Sequence, residues 1–489
     1  VIKWGISSNS HNAALSIFDD DRLIFVSSSE RFSKIKNDPH INQSLISQAL
    51  FFGEPDQIYW YESPRLKTLR QLFAGQGFTV NENNISKYIF DKTSLKVPIK
   101  YTTHHHSHAA AGYYTSSFDD AVIVVLDAIG EFDTFTIWQG ENNRLKKLYS
   151  HQYPSSLGLW YSAMTQRCGL KPNEEEYILM GMSAFGDPSR LFSDILNDFI
   201  ELSDKHPFQI KMNLHRGCKW WRPDLTSQQD IFDIAATTQK VYEFLFERVL
   251  LKAFSISKSK NLVLMGGCAL NCVANSICYK YFDNVWIMPA PGDDGSSIGS
   301  VLSHTKKHIE WSGPYLGFDL GYQSSNDEIV DYLIKNKVCG IARGRAEFGP
   351  RSLGNRSLIA DPRGNDVKDL VNSIKKREPF RPFAPVILEE MANDYFEMPT
   401  SKTPYMQFTV KCRRPDLYPA IVHTDNTSRV QTVSKEDNPQ FRELLEIWYE
   451  RTGCPMLLNT SLNIKGEPII NDCHQAKMWE QIHQVKVWT

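Results

Sequence analysis

The chain has 489 residues, with 54 Lys and Arg against 56 Asp and Glu and a formal charge of −2. At about 100–200 residues per domain, that length holds two to four domains. Hydrophobic residues at 42% and charged residues at 22% exclude a disordered chain, and the near-balance of charge excludes a protein that coats nucleic acid or an anionic membrane with its whole surface.

No apolar run approaches the roughly 18–20 residues that span a bilayer, so no membrane partner is expected. Val1–Ser10 lacks a basic region leading into an apolar stretch, so no secretory signal is read in the chain as given. The nine cysteines are scattered without a C-x-x-C pair, and Cys268 and Cys272 are followed by no second pair at zinc-site spacing. A reduced, cytoplasmic protein without structural zinc is expected.

In chain order, a strand at Val1–Ile6 leads into a hairpin of Ala13–Phe18 and Leu23–Ser27 around Asp19–Arg22. A helix follows near Gln43–Phe52. A second apolar strand, Ala121–Leu126, ends in Asp127, and Thr134–Gln139 with Leu145–Tyr149 form another hairpin. Two strand-plus-hairpin units suggest an internal duplication. Asp230–Ser255 is helical in pattern. Leu262–Met265 then runs into Gly266–Asn271, and Val285–Met288 runs into Pro289–Gly295. Gly and Pro cluster at Ser312–Gly321, a domain boundary, and Val338–Thr489 reads as mixed α/β with a strand at Pro385–Leu388.

Four constellations could carry chemistry. His104 and His108 are four apart, so a helix would present both from one face. Alone they would be solvent-facing imidazoles at a helix start. With Asp127 and Asp293 at the ends of apolar strands, they suit Fe(II), Mn(II) or Zn(II) better than Ca(II) or Mg(II). Second, Gly266-Gly267 opens a turn between a strand and a helix, where backbone can approach a phosphate. Tight packing explains such a pair as readily, but the loop Pro291–Gly299 would let one nucleotide be gripped from both sides. Third, residues 343–381 hold ten Lys and Arg against five Asp and Glu, a net +5 that leaves the remainder at −7. A charge run is usually a solvated face. Here the cations are set among Gly, Pro and Phe, as in Phe348–Arg351 and Pro379–Phe383, which suits a phosphate pocket. Fourth, Trp220 and Trp221 lie between Lys219 and Arg222, where they could stack on a base or a sugar or could equally be buried.

Taken together, these motifs resemble the NodU/TobZ-type O-carbamoyltransferases, relatives of HypF. The resemblance rests on Ser10–Ala14, Glu30–Lys36, His104–Ala109, Asp127–Glu131, Pro154–Gly158, Met180–Gly186, Gly266–Asn271 and Pro291–Gly295, then on Gly349–Ser357, Lys375–Pro385 and Asn459–Asn463. It implies an α/β chain: a duplicated actin-like, TsaD-like domain over 1–315, then a YrdC-like α/β domain over 316–489. In the second, carbamoyl phosphate and ATP, with Mg, would give carbamoyl-adenylate. Lys375, Arg377, Ser461 and Asn463 match that fold's K-x-R and S-x-N elements, and Arg351, Arg356, Arg381 and Arg429 are added as phosphate ligands, because polyanions brought together need fixed cations. In the first domain the resemblance gives His104, His108, Asp127 and Asp293 a metal, iron first. It gives Gly266, Gly267, Asn271 and Asp294 the nucleotide; His11 is added as the candidate for general base or acceptor orientation, and Lys36 for phosphate or transition-state charge.

Two departures from the family pattern stand out. Asn12 replaces the Asp that commonly follows His11, and Ile178 replaces the usual Lys in Glu176–Gly181. A sugar-like small molecule is the first expected acceptor. A hydroxymethylated pyrimidine such as 5-hydroxymethylcytosine in DNA is the second, and a homodimer is the assembly to test. Threonylcarbamoyl transfer to tRNA and a non-enzymatic ATP-binding regulator are the alternatives.

Overall fold

A computed structural model describes every residue of the chain except Phe78, Asn365, Pro379 and Pro382. The two prolines expected to stiffen the cations at 379–383 therefore lie outside the described residues. The chain divides into two units, one of Val1–Ser29 with Asn37–Trp311, the other of Glu30–Lys36 with Ser312–Thr489. The cut at 311/312 falls where Gly and Pro begin to cluster. The placement of Glu30–Lys36 with the second unit has no counterpart in a continuous 1–315 domain. Its cause is tertiary: Arg31 Nη2 donates to the carbonyls of Glu347 and Gly349 at 3.4 and 3.1 Å, and Phe32 stands edge-on to Phe318.

In the first unit, β1 (Ile2–Ser7), β2 (Ala14–Asp19), β3 (Arg22–Ser28), β4 (Gln57–Trp60) and β5 (Ile99–Tyr101) form a sheet of order β3-β2-β1-β4-β5. β6 (Asp120–Leu126), β7 (Asp133–Glu141) and β8 (Arg144–Gln152) lead to the small pair β9 (Ile200–Glu201) and β10 (Gln209–Ile210). β11 (Asn261–Met265) and β12 (Asn284–Trp286) then complete a second sheet of order β12-β11-β6-β7-β8. In each sheet the first strand pairs antiparallel with the hairpin and parallel with the later strand. Equal order and equal sense make the duplication structural, and the arrangement is the duplicated actin-like one.

The pivot strand β6 is apolar because both faces are covered: Ala121 to Leu126 are all 0% exposed. One cover is the helix His104–Thr115, which packs on the helix Ser296–Thr305. The two approach closely because Gly299 lacks a side chain; a Cβ there would stand 1.8 Å from the Ser107 carbonyl oxygen. The long helix Gln228–Ile256 starts on a reciprocal Ser227/Asp230 cap. One expected strand is shorter than its apolar run. Val285–Met288 leaves the ladder after Trp286, because Pro289 and Pro291 have no N–H to continue it.

The second unit opens with β13 (Tyr315–Asp319), followed by β14 (Val338–Ala342), β15 (Arg345–Glu347), β16 (Arg356–Ala360) and β17 (Ala384–Leu388). β18 (Thr409–Lys411), β19 (Thr427–Arg429), β20 (Gln431–Val433), β21 (Met456–Ser461) and β22 (Val487–Trp488) complete it. Its six-stranded sheet has the order β20-β17-β21-β16-β14-β22. The register places Ser461 opposite Ser357, and Ala342 opposite Arg356, at one end of that sheet. Among the described residues, no helix is long and apolar enough to cross a membrane.

Candidate metal centre and anion pocket

His104 begins its helix and His108 follows one turn later, so both imidazoles project from the same face. Their Nε2 atoms lie 3.1 Å apart. Asp127, at the end of β6, places Oδ2 3.0 Å from His104 Nε2 and 3.6 Å from His108 Nε2. Asp293, in the proline-bounded loop before Ser296, places Oδ1 at 3.3 and 3.5 Å from the same atoms. The four ligand atoms lie within 4.8 Å of one another. The other oxygen of each carboxylate is tethered. Asp127 Oδ1 accepts the Gly267 N–H at 3.1 Å, and Asp293 Oδ2 accepts from Ser10 Oγ at 3.4 Å. Glu131 holds the helix start by accepting the His104 N–H with both carboxylate oxygens, each at 3.1 Å, and the Ser63 N–H at 2.7 Å.

Burial alone would push these carboxylates up and these imidazoles down. The pairing overrides it: the His104 and His108 imidazoles hold Asp127 and Asp293 below the usual carboxylate range, while the two carboxylates raise both histidines. Two ionised carboxylates and two imidazoles converging in a dry pocket form a donor set that fits a divalent cation. His108 Nδ1 is buried without a hydrogen-bond partner among the described residues, and Nε2 is the nitrogen that faces the other three groups.

The glycine turn beside this cluster is dictated by space. Gly266 has φ +91°, and a Cβ there would sit 2.1 Å from the Leu126 carbonyl oxygen, while its N–H donates to the Pro291 carbonyl at 2.8 Å. Gly266→Ala is expected to cost at least about 2 kcal/mol of stability through backbone strain and overlap, measurable by urea denaturation. A wild-type midpoint in that variant would contradict the packing described.

The remaining expected residues separate into several environments. Asn271, expected on a nucleotide, is paired with the Gln239 side chain in both directions at 3.0 and 3.1 Å, and its Oδ1 also accepts the Ala274 N–H. Its amide caps a turn. Asp294 Oδ2 accepts from Ser28 Oγ at 3.4 Å. His11 is exposed beside Ser10, with Nε2 2.7 Å from the Asn173 carbonyl oxygen. Asn173 in turn donates its N–H to Glu176 Oε1 at 2.6 Å, and Ser162 Oγ donates to the same oxygen. His11 and Glu176, which neighbour the departing positions Asn12 and Ile178, are thus joined through Asn173, in the left-handed region at φ +62°. Ile178 itself is 1% exposed, a core residue. Lys36 lies in the Glu30–Lys36 segment, with Nζ 3.1 Å from both oxygens of Glu30.

In the second unit, Lys375, Ser461 and Asn463 do come together. The Lys375 ammonium is 4% exposed and donates to the carbonyl and hydroxyl of Ser461 and to the carbonyl and side-chain oxygens of Asn463. All four acceptors are neutral. Burial first, then repulsion from Arg377 and Arg381, lowers the amine well below the ordinary lysine range. Arg377 stacks 3.8 Å over the Phe383 ring and donates to Asn372 at 2.8 Å, while Arg381 lies 3.4 Å from Glu378. Arg351 is half-buried. Arg429 Nε is buried without a hydrogen-bond partner among the described residues.

Arg356 departs from its expected role as a phosphate ligand. It is 0% exposed, and its guanidinium donates to the carbonyls of Asn471, Arg343, Gly344, Asn355 and Phe318 at 2.8–3.1 Å. Such an arginine staples loops together, because its fork is already filled by backbone oxygens. The tryptophan pair also divides. Trp221 is 3% exposed with its indole N–H on Asp198, Trp220 is 58% exposed, and Arg222 is paired with Asp194 and Asp224.

Sequence reading missed Ser10, Asn173 and Glu131 as supports of the site. Glu131 stands in the Asp127–Glu131 motif and could have been found there. Asn173 carries no signal, because its role depends on a loop conformation.

A duplicated actin-like fold with a buried two-histidine, two-carboxylate cluster, followed by a unit with a buried cationic pocket, defines the class. Family models for the carbamoyltransferase N-terminus and C-terminus match residues 3–302 and 330–487. The chain belongs to the carbamoyltransferase family and is a carbamoyltransferase by that membership. It is 32% identical to an uncharacterized protein of Synechocystis (sll1178) over 95% of this chain and 92% of that one. It is 33% identical to the nodulation protein NolO of Bradyrhizobium diazoefficiens over 73% and 72%. With the 3'-hydroxymethylcephem-O-carbamoyltransferase of Amycolatopsis lactamdurans it shares 28% identity over 94% and 93%.

Proposed function

We propose that the chain is an ATP-dependent O-carbamoyltransferase with its two chemical tasks divided between its units. In the second unit, carbamoyl phosphate is opened by water to carbamate with release of phosphate. The carbamate oxygen then attacks the α-phosphorus of ATP, and pyrophosphate leaves carbamoyl-adenylate. In the first unit an acceptor hydroxyl attacks the carbamoyl carbon, its proton passes to His11, and AMP departs. The observation that carries this reading is Lys375: a buried ammonium held by neutral oxygens, with Arg377 and Arg381 nearby, has no carboxylate partner of its own among the described residues. Arg351, Arg429, Ser461 and Asn463 complete the carbamoyl phosphate and ATP site, with Mg accompanying ATP.

His104, His108, Asp127 and Asp293 would hold a divalent cation, Fe(II) first and Mn(II) or Zn(II) next, which supplies Lewis-acid polarisation of the carbonyl when bound. Gly266 and Gly267 present backbone to the nucleotide. Lys36 is the group reserved for phosphate or developing charge. The nine free thiols suit a reducing, cytoplasmic setting.

The acceptor favoured is a hydroxyl on a small molecule. The Amycolatopsis relative is named for a hydroxymethyl cephem, and the Trp pair that motivated a DNA acceptor offers a single exposed ring. The test is carbamoyl-phosphate-dependent pyrophosphate release from ATP, followed by mass analysis of candidate acceptors, with hydroxymethylcytosine DNA as one arm. A gain of one carbamoyl mass on a small-molecule hydroxyl supports the reading. Absence of pyrophosphate release overturns it, and a mass gain on the nucleoside alone transfers the acceptor to DNA.

A further inference from the structure

Arg343 follows β14 directly and is 1% exposed, yet neither Nη1 nor Nη2 has a hydrogen-bond partner among the described residues. A guanidinium keeps its charge at neutral pH, and an unpaired charge in a protein interior is strongly disfavoured. The acid whose field reaches it, Glu443, is exposed and already accepts from Asn326 Nδ2 at 2.7 Å. On one side stands the ring of Tyr322, 5.6 Å from the guanidinium and 48% exposed, in the turn after Gly321.

Two helix starts adjoin the same place. Asn326 opens the helix Asn326–Asn336 and donates to the Gln440 carbonyl at 3.1 Å, in the first turn of the helix Pro439–Thr452. Asn355 ties the second helix start to Arg343. Its carbonyl accepts the Arg343 N–H at 3.1 Å, and its side-chain oxygen accepts from Asn438, the cap of the second helix, at 3.0 Å. Asn326 is 7% exposed, and its Oδ1 is a second buried atom without a partner among the described residues. A fixed cation and the positive ends of two helices converge. The two Arg343 Nη atoms are the unpaired donors here, while Asn326 Oδ1 is an acceptor that can take a hydrogen bond only from a protonated oxygen of the ligand.

We propose that Arg343, walled by Tyr322 and beside these two helix starts, binds a small inorganic oxyanion of the phosphate class. The site is separate from the Lys375 cluster. Across the register Ser461–Ser357 and Arg356–Ala342, Arg343 lies two strands from Ser461, about 10 Å at ordinary strand spacing. Binding would pair the guanidinium in bidentate fashion, with the Tyr322 ring moving aside for entry.

The test uses the full chain in phosphate-free buffer, with Arg351→Ala as the background that weakens the carbamoyl phosphate site. Inorganic phosphate is expected to raise the Tm of Arg351→Ala by about 2 °C or more, and adding Arg343→Met is expected to remove that gain. Without phosphate, Arg343→Met alone should be at least as stable as wild type, because it removes an unpaired buried charge. Its carbamoyl-phosphate-dependent pyrophosphate release should stay within about twofold of wild type. The proposal is overturned if the double variant keeps the gain, if Arg351→Ala shows none, or if chloride at equal ionic strength gives as much. Marked destabilisation of Arg343→Met without phosphate would mean that the guanidinium has a partner within the protein, and loss of pyrophosphate release would merge the site with that of carbamoyl phosphate. Either result also overturns it.

Discussion

Replacing His108 by alanine is expected to leave pyrophosphate release within about twofold of wild type while reducing carbamoyl transfer on the order of 10³-fold. The separation follows from where the residue sits. His108 Nε2 lies 3.1–3.6 Å from His104, Asp127 and Asp293, all in the first unit, whereas the Lys375 cluster belongs to the second. Removing one imidazole leaves three donors, His104 and the two carboxylates, so metal content per chain should fall in parallel. That loss is measurable by elemental analysis, independently of activity. Thermal melting distinguishes a lost ligand from a lost fold. If pyrophosphate release collapses in a folded His108→Ala protein, the division of labour is wrong. If metal content is unchanged, the cluster is not the metal site.

Lys375→Met is expected to reverse that pattern, lowering carbamoyl-phosphate-dependent pyrophosphate release by on the order of 10²–10³-fold with metal content unchanged. Methionine keeps the buried aliphatic volume while removing the charge, so the fold should survive although four oxygen contacts lose their donor. The pH dependence has a definite sign. Burial and the neighbouring arginines lower the Lys375 amine, so its cationic form is lost at lower pH than in an ordinary lysine. Affinity for an anionic substrate should therefore weaken as pH rises through that lowered value, and substrate binding should raise it again. Calorimetric titration from neutral to alkaline pH measures this. An affinity independent of pH in wild type, or normal pyrophosphate release in Lys375→Met, would remove Lys375 from the site.

Much of the fold was legible because its signals are local. Alternation and short apolar runs place β1 to β3, β6 and β7 within a residue or two and β8 three residues short at its end, and the helical pattern over Asp230–Ser255 falls within the helix Gln228–Ile256. Where the sequence overran, as at Val285–Met288, the apolar run was real, but two prolines ended the ladder before its last residues. The +5 stretch within a chain of net −2 was legible as well, though its members proved unlike one another. Lys375 meets Ser461 and Asn463, whereas Arg356 is consumed by five carbonyls.

By itself the sequence determined the family and the placing of His104 and His108 on one helical face, and it suggested the strand-plus-hairpin repeat that the two sheets establish. Each depends on spacing over a few residues or on the order of motifs. Only the tertiary structure decided that Asp127 and Asp293 meet those histidines, since that requires β6, β11 and β12 to pair across distant parts of the chain. It also decided that Glu30–Lys36 joins the second unit, that Asn173 bridges His11 and Glu176, and that the Arg343 Nη atoms have no hydrogen-bond partner among the described residues while the Arg356 guanidinium has five. Those outcomes depend on which carbonyls and carboxylates surround a side chain once it is buried, and that information is not written in its neighbours along the chain.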